Sequence, residues 1–380
     1  MGRSFLKHAA KISRRDAALE VQVVLSDNEF LGPNFFFSIH NLASGYHTLG
    51  TGGKMLQKLP ACQPPFWARS GHAQTILGDL LPSPTLTMTG QRIEIPLEDG
   101  DRLVARFLEG PSNTLVYLFH GLVGDISSSY INRTALVAQQ LGHSVLMVNH
   151  RGCGEGRGLA AGPYHSGSAA DLSRAIVQGR KLFPQKLHLA IGFSLSANAL
   201  LLLVSGRHEL VQPDLAITVN APINLARAAR MLQQGLNRIY DFHFLGRLRE
   251  DIRFRRAKGL LKQDYDIPFF SSVRDFDEIY TAPAAGFESR EEYYRLCSTK
   301  DILADIRIPT VVLSAKDDPF IPFQDYAEAR LSRSVHLHLE EFGGHLGYLS
   351  RVKTPLGTGR WLDYALWHYI QVLDGAAARV

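Results

Sequence analysis

Residues Leu187–Gly206 read LHLAIGFSLSANALLLLVSG. A β-like apolar run, LHLAIGFS, gives way to a helix-like one, SANALLLLVSG, across the turn Gly192-Phe193-Ser194-Leu195-Ser196. A strand feeding a helix through a small-residue turn is the setting of a nucleophile elbow, G-x-S-x-G, whose strain lifts the serine hydroxyl above the sheet. The positions two before and two after the serine must be small, because the strand and helix backbones approach closely there. Gly192 meets that demand, and Ser196 replaces the second Gly with the next smallest polar residue. A serine between small residues is common in turns, so the flanking strand and helix carry the reading.

The same alternation extends outward. IEIP and LVARFL read as a leading strand pair, and TLVYLFHG, SVLMVNHRG and LAITVNAP as apolar strands ending in turn residues. YINRTALVAQQLG and SAADLSRAIVQGRKLF read as the helices between them. Apolar strands separated by helices predict an α/β fold, a mostly parallel sheet flanked by helices on both faces. The pattern stops near Asn220, resumes at IPTVVLSAKDD and SVHLHLEEFGGH, and ends in an amphipathic helix over about Gly359–Leu373. The interval of about 221–306 holds no core strand; NLARAARMLQQGLNRIYDFHFLGRL within it is helix-like. It is expected to form a helical cap over the carboxyl edge of the sheet, where open α/β sheets bind ligands. Met231, Leu232, Leu236, Ile239, Tyr240, Phe242, Phe244 and Leu245 are candidates to line an acyl pocket there, against the plainer expectation that they pack the cap onto the core.

A serine hydroxyl needs a neighbouring imidazole to take its proton. Downstream the chain offers AKDDPFIP after the strand TVVLS, then Phe342-Gly343-Gly344-His345 after VHLHLEE. The order Ser, Asp, His matches the elbow's expected partners. Ser194, Asp318 and His345 are therefore the candidate triad. Leu195 and Leu122, the latter following His120-Gly121, are the candidate backbone N–H donors for an oxyanion. His150 and His165 precede the serine and are expected to be structural hydrogen-bonders. His336 and His338 share a strand face without Cys or carboxylate partners nearby in the pattern, so no metal site is expected. RGCGEGRG lacks the G-x-G-x-x-G spacing of a dinucleotide loop, and GTGGK at 50–54 lacks the spacing of a phosphate loop. No organic cofactor is expected.

Composition sets the outer bounds. The 380 residues carry 41 Lys and Arg against 36 acidic residues, a net charge of +5 too dispersed to imply nucleic-acid binding. Arg247, Arg249, Arg253, Arg255 and Arg256 form one local cluster, from which weak contact with an anionic membrane surface is expected. Cys62, Cys153 and Cys297 show no C-x-x-C spacing, which points to a reducing, cytoplasmic compartment. No apolar run reaches the roughly 20 residues of a bilayer span, and the basic N-terminus is not followed by a signal-peptide core. Residues 1–54 read as a flexible N-terminal extension and 55–380 as the folded domain; a chain starting at Met55 is expected to fold and stay active.

Several motifs together resemble one family. PPFWARSGHAQT (64–75), FHGLVG (119–124), NHRGCGEG (149–156), YHSG (164–167), GFSLSAN (192–198), AKDDPF (315–320) and GGH (343–345) are similar to YheT-like α/β-hydrolases, as are RDFDEIYTAP and EEYYRLCS in the cap. The likeness covers roughly Leu59–Leu373; the family's usual G-x-S-L-G-G-N stands here as Gly192 to Asn198 with Ser196 and Ala197. It implies an α/β-hydrolase fold with a helical cap, and esterase or lipase-like activity on short- to medium-chain acyl esters as substrates. In related hydrolases the acid is followed by two residues, an apolar one and Pro, which selects Asp318 over Asp317; Asp317 is expected to accept backbone N–H bonds instead. The group includes acyltransferases that pass the acyl group to an alcohol, so that activity is the first alternative. A non-catalytic binding protein of the same fold is the second. Oligomeric state does not follow from the sequence.

Overall fold

The computed structural model describes residues 59–84, 86 and 90–377; the expected extension, 1–54, lies outside them. Eight strands form one sheet in the order β1-β2-β4-β3-β5-β6-β7-β8. They are β1 (Gln91–Pro96), β2 (Arg102–Leu108), β3 (Thr114–Phe119), β4 (Ser144–Asn149), β5 (Leu187–Phe193), β6 (Leu215–Val219), β7 (Thr310–Ala315) and β8 (Val335–Glu340). The first two are antiparallel to their neighbours, and β4 through β8 run parallel.

The two-residue period of a strand sorts its side chains to opposite faces. On β3, Leu115, Tyr117 and Phe119 join a core with helices α3 (Ala169–Leu182) and α4 (Leu195–Val204), while Val116 and Leu118 face α2 (Ser129–Gln140) and α11 (Trp361–Ala377). Both faces are covered, which is why β3, β4, β6 and β7 are buried at every position.

Between β6 and β7 no strand occurs among the described residues. The segment folds as α5 (Leu225–Leu232), α6 (Arg238–Ala257), α7 (Val273–Phe276), a π-helical turn at Asp277–Thr281, α8 (Ala282–Ala284) and α9 (Arg290–Cys297). The helix expected to run from Asn224 through Leu248 is broken, because Gly235 takes φ +49° and starts a 3₁₀ turn. Two helices had no sequence expectation: α1 (Gly71–Leu80), capped by the Ser70 side chain on Ala73 N–H, and α10 (Phe323–Glu328).

Candidate active site

Ser194 stands between β5 and α4 with φ 53° and ψ −118°, a conformation an L-residue adopts only under constraint. Its N–H is held by the Val219 carbonyl at 2.8 Å, tying the turn to the next strand. Gly192 is required on steric grounds: a Cβ there would lie 2.7 Å from the Ser196 carbonyl oxygen.

Three loops at the same sheet edge converge on this serine. His345 Nε2 lies 2.9 Å from Ser194 Oγ, and His345 Nδ1 lies 2.8 Å from Asp318 Oδ2. The imidazole also packs on Phe320, centroid to centroid 4.2 Å. Asp318 Oδ1 accepts N–H bonds from Phe320 and Ile321 at 3.1 Å each, and Oδ2 accepts one from Asn220 Nδ2 at 2.6 Å. Four donors, counting the imidazole, surround one buried carboxylate and fix its position against the ring. Asp317 points elsewhere. Its Oδ1 accepts the Gly343 and Gly344 N–H groups at 2.8 Å each, fastening the loop that carries His345. Burial pushes the Asp317 carboxyl up, opposed by those two N–H bonds.

Two supports of this loop had no sequence reading. Asn220, at φ 51°, also donates to the Gly344 carbonyl at 3.2 Å and accepts from Tyr348 at 2.8 Å. Thr75 on α1 accepts the His345 N–H at 2.8 Å. The only trace of Asn220 in the sequence is a polar residue closing the strand run LAITVN; α1 lay inside a motif whose purpose was not readable.

The two candidate oxyanion donors lie beside the serine. Neither Leu122 N–H nor Leu195 N–H has a hydrogen-bond partner among the described residues, and Gly121 approaches so closely that a Cβ on it would sit 3.1 Å from Ser194 Cβ. Leu195 opens α4, so its N–H also carries the positive end of the helix dipole.

Above the serine opens a cavity of about 750 Å³, lined on one side by Ser194, Leu122, Leu195 and His345 and on the other by residues of α1, α5 and α6. Of the eight proposed acyl-pocket residues, Leu232, Ile239, Tyr240 and Phe244 line it. Leu236 and Phe242 do not: they are 65% and 67% exposed, because the break at Gly235 resets the helical phase. Leu245 is buried in a separate cluster with Ile252 and Phe276, and Met231 packs against the main core. His150, His165 and His338 fall among structural hydrogen bonds. His150 contacts Ser196 Oγ at 2.5 Å, His165 Nδ1 accepts the Gly167 N–H at 3.1 Å, and His338 lies between Tyr369 and Glu340. Among the described residues no cluster of His, Cys, Asp and Glu could hold a metal ion.

A family model described as the alpha/beta hydrolase family matches residues 116–354. The putative esterase YheT of Escherichia coli (strain K12) is 30% identical over 301 residues, 77% of this chain and 87% of that protein. The chain is a YheT-like α/β-hydrolase. More distant relatives of this α/β-hydrolase include the human phospholipase ABHD3, 24% identical over 82% of this chain and 78% of that protein. Another is the medium-chain fatty acid ethyl ester synthase/esterase 2 of Saccharomyces cerevisiae, 26% identical over 62% of this chain and 58% of that protein. Among solved structures, the esterase Pf2001 of Pyrococcus furiosus superposes with a TM-score of 0.50 at 14% identity, covering 76% of this chain and 98% of that one. The hydrolase is a serine hydrolase of the esterase and lipase type. The non-catalytic alternative is set aside accordingly.

Proposed function

We propose that this enzyme hydrolyses carboxylic esters of short to medium acyl chain by two-step acyl transfer. Ser194 attacks the ester carbonyl while His345 takes its proton; Asp318 orients the imidazole and stabilises its charged form; Leu122 and Leu195 N–H groups receive the oxyanion. His345 then protonates the leaving alcohol, and water resolves the acyl-enzyme. The observation that carries the reading is the Asp318–His345–Ser194 chain of bonds, 2.8 and 2.9 Å, at the floor of the cavity. The helices between β6 and β7 act as the cap, with Leu232, Ile239 and Phe244 against the acyl chain. The test is labelling with a fluorophosphonate, peptide mapping, and a panel of esters of increasing chain length. Label on any residue but Ser194 would end the proposal.

Transfer to an alcohol is the second reading, supported by the yeast relative whose name joins synthase to esterase. Product analysis in a mixed water and alcohol medium separates the two. A cytoplasmic location is proposed on the three free thiols; among the described residues no helix is long and apolar enough to cross a membrane. Contact with an anionic lipid surface rests on fewer arginines than the sequence offered. Arg255 is buried, its guanidinium donating to the carbonyls of Ala160, Ala161 and Gly162 and pairing with Asp251. The remaining basis is the exposed Arg247 and Arg253 on α6, the helix that also carries the exposed Ile239 and Phe242. Absence of co-sedimentation with phosphatidylserine vesicles at low salt would remove that contact.

A further inference from the structure

The turn Gly121-Leu122-Val123 presents three successive backbone N–H groups beside Ser194. Two are taken by tyrosine hydroxyls: Gly121 N–H donates to Tyr130 Oη at 2.9 Å, and Val123 N–H donates to Tyr164 Oη at 2.8 Å. The one between them, on Leu122, is left without a partner among the described residues. Val123 pays for the arrangement with φ 54°, a left-handed conformation costly for a β-branched residue. Such a conformation persists only when its surroundings over-determine it.

The carbonyl side of the turn is pinned as firmly. His150 N–H donates to His120 Nε2 at 3.1 Å, so the His120 proton sits on Nδ1 and is donated to the Gly121 carbonyl at 2.8 Å. In a trans peptide the C=O and N–H point in opposite directions. Anchoring the Gly121 carbonyl toward the interior therefore turns the Leu122 N–H the other way, toward Ser194 and the cavity. One peptide unit earlier, the His120 carbonyl accepts from the Ser196 hydroxyl and from His150 Nε2. The small polar residue that stands where the elbow usually has Gly is thus bonded to the oxyanion turn. Tyr164 lies flat against His150, centroids 5.1 Å apart and rings 1° from parallel, which fixes the hydroxyl's own position.

We propose that Tyr130 and Tyr164 are positioning residues for the oxyanion: they occupy the two competing N–H groups and hold the Leu122 N–H as a free, pre-aimed donor. This rests on Ser194 being the nucleophile. It gives a purpose to the NHRG and YHSG motifs that the triad leaves unused. Preorganisation is where such a donor gains its effect, since a group already aimed needs no reorganisation as charge develops.

The experiment compares Tyr130→Phe and Tyr164→Phe with Tyr117→Phe. Tyr117→Phe removes a buried phenol bonded to His188 Nδ1, away from the turn. For the first two, kcat is expected to fall about 10- to 100-fold with KM within about twofold, a fraction of the loss from deleting an oxyanion donor outright. Affinity for a trifluoromethyl ketone, which forms a tetrahedral adduct, should fall by the same factor as kcat/KM. Affinity for a non-hydrolysable ether analogue should hold. Tyr117→Phe should lower Tm without that split. Wild-type kcat and ketone affinity in both turn variants, or equal losses across all three, would overturn the proposal. Wild-type protein that takes no fluorophosphonate at Ser194 would instead remove the reading beneath it.

Discussion

The sheet edge and the helices between β6 and β7 face each other across one cavity, yet they are held by different means. At the sheet edge each residue of the candidate triad is held by a specific hydrogen bond, Ser194 by the Val219 carbonyl and His345 by the Thr75 hydroxyl. Asp318 alone takes two N–H bonds from its own loop and a third bond from Asn220. Across the cavity, α6 keeps its own small cluster around Leu245 and Ile252, leaves Phe242 in solvent and holds the cavity-lining Ile239 only loosely covered. The geometry of bond-making is thus placed where the fold is least deformable. The wall proposed to meet the acyl chain is placed where packing is looser.

The largest effect should come from the rigid side. Ser194→Ala is expected to reduce ester turnover by about 10⁴ to 10⁶ with Tm unchanged, since the small side chain fits the same strained turn. Full activity in a folded sample would refute the assignment. The adjacent carboxylates sharpen the point. Asp318→Asn should lower kcat by about 10⁴, because the imidazole loses its orienting carboxylate. Asp317→Asn should mainly lower Tm by loosening Gly343 and Gly344. The opposite ranking on one ester substrate would exchange their roles.

Acid should act through buried imidazoles. Burial holds the His120 and His188 imidazoles down at about 4, well below the ordinary value of about 6.5. Between those two values the unfolded chain binds protons that the native state refuses, so stability is intact above about pH 6.5 and is lost as pH falls toward 4. Each imidazole contributes on the order of 2 kcal/mol to that loss at pH 5. Thermal melts from pH 8 to 5 should show Tm descending only in the lower half of that range; a flat profile would mean these histidines are hydrated. The smallest effect belongs to the helical wall. Ile239→Trp should shift preference toward shorter acyl chains by about 3- to 10-fold in relative kcat/KM, the range a few methylene contacts supply. No change across the ester panel would place Ile239 outside the acyl path.

What could be read in the sequence follows the same division. Ser194, Asp318 and His345 each follow a strand, so local pattern and chain order were enough to nominate them, and the fold brings the three within hydrogen-bond distance of one another. Asn220 and Thr75 were not legible, because their worth lies in contacts with residues 98 and 270 positions away. Arg255 looked like surface charge in a run of arginines; burial came from three carbonyls of a loop after β4 that no helical period encodes. Leu236 and Phe242 looked like pocket residues because periodicity was carried through Gly235, where a single positive φ restarts the count. Tyr130 and Tyr164 sat in readable elements, but the hydroxyl's partner is a backbone N–H, which leaves no mark in side-chain pattern.

The bond from His345 N–H to Thr75 has a consequence for the timing of activity. The elbow is assembled from neighbours in sequence, whereas seating the imidazole requires closing 270 residues of chain onto α1. Closures of that length are slow relative to local helix and strand formation. On dilution from denaturant, far-ultraviolet ellipticity should therefore recover ahead of turnover, leaving an interval in which the serine is in place and still inert. Newly made chains would pass through the same silent stage, unable to cleave any ester until the last strand and the first helix have met.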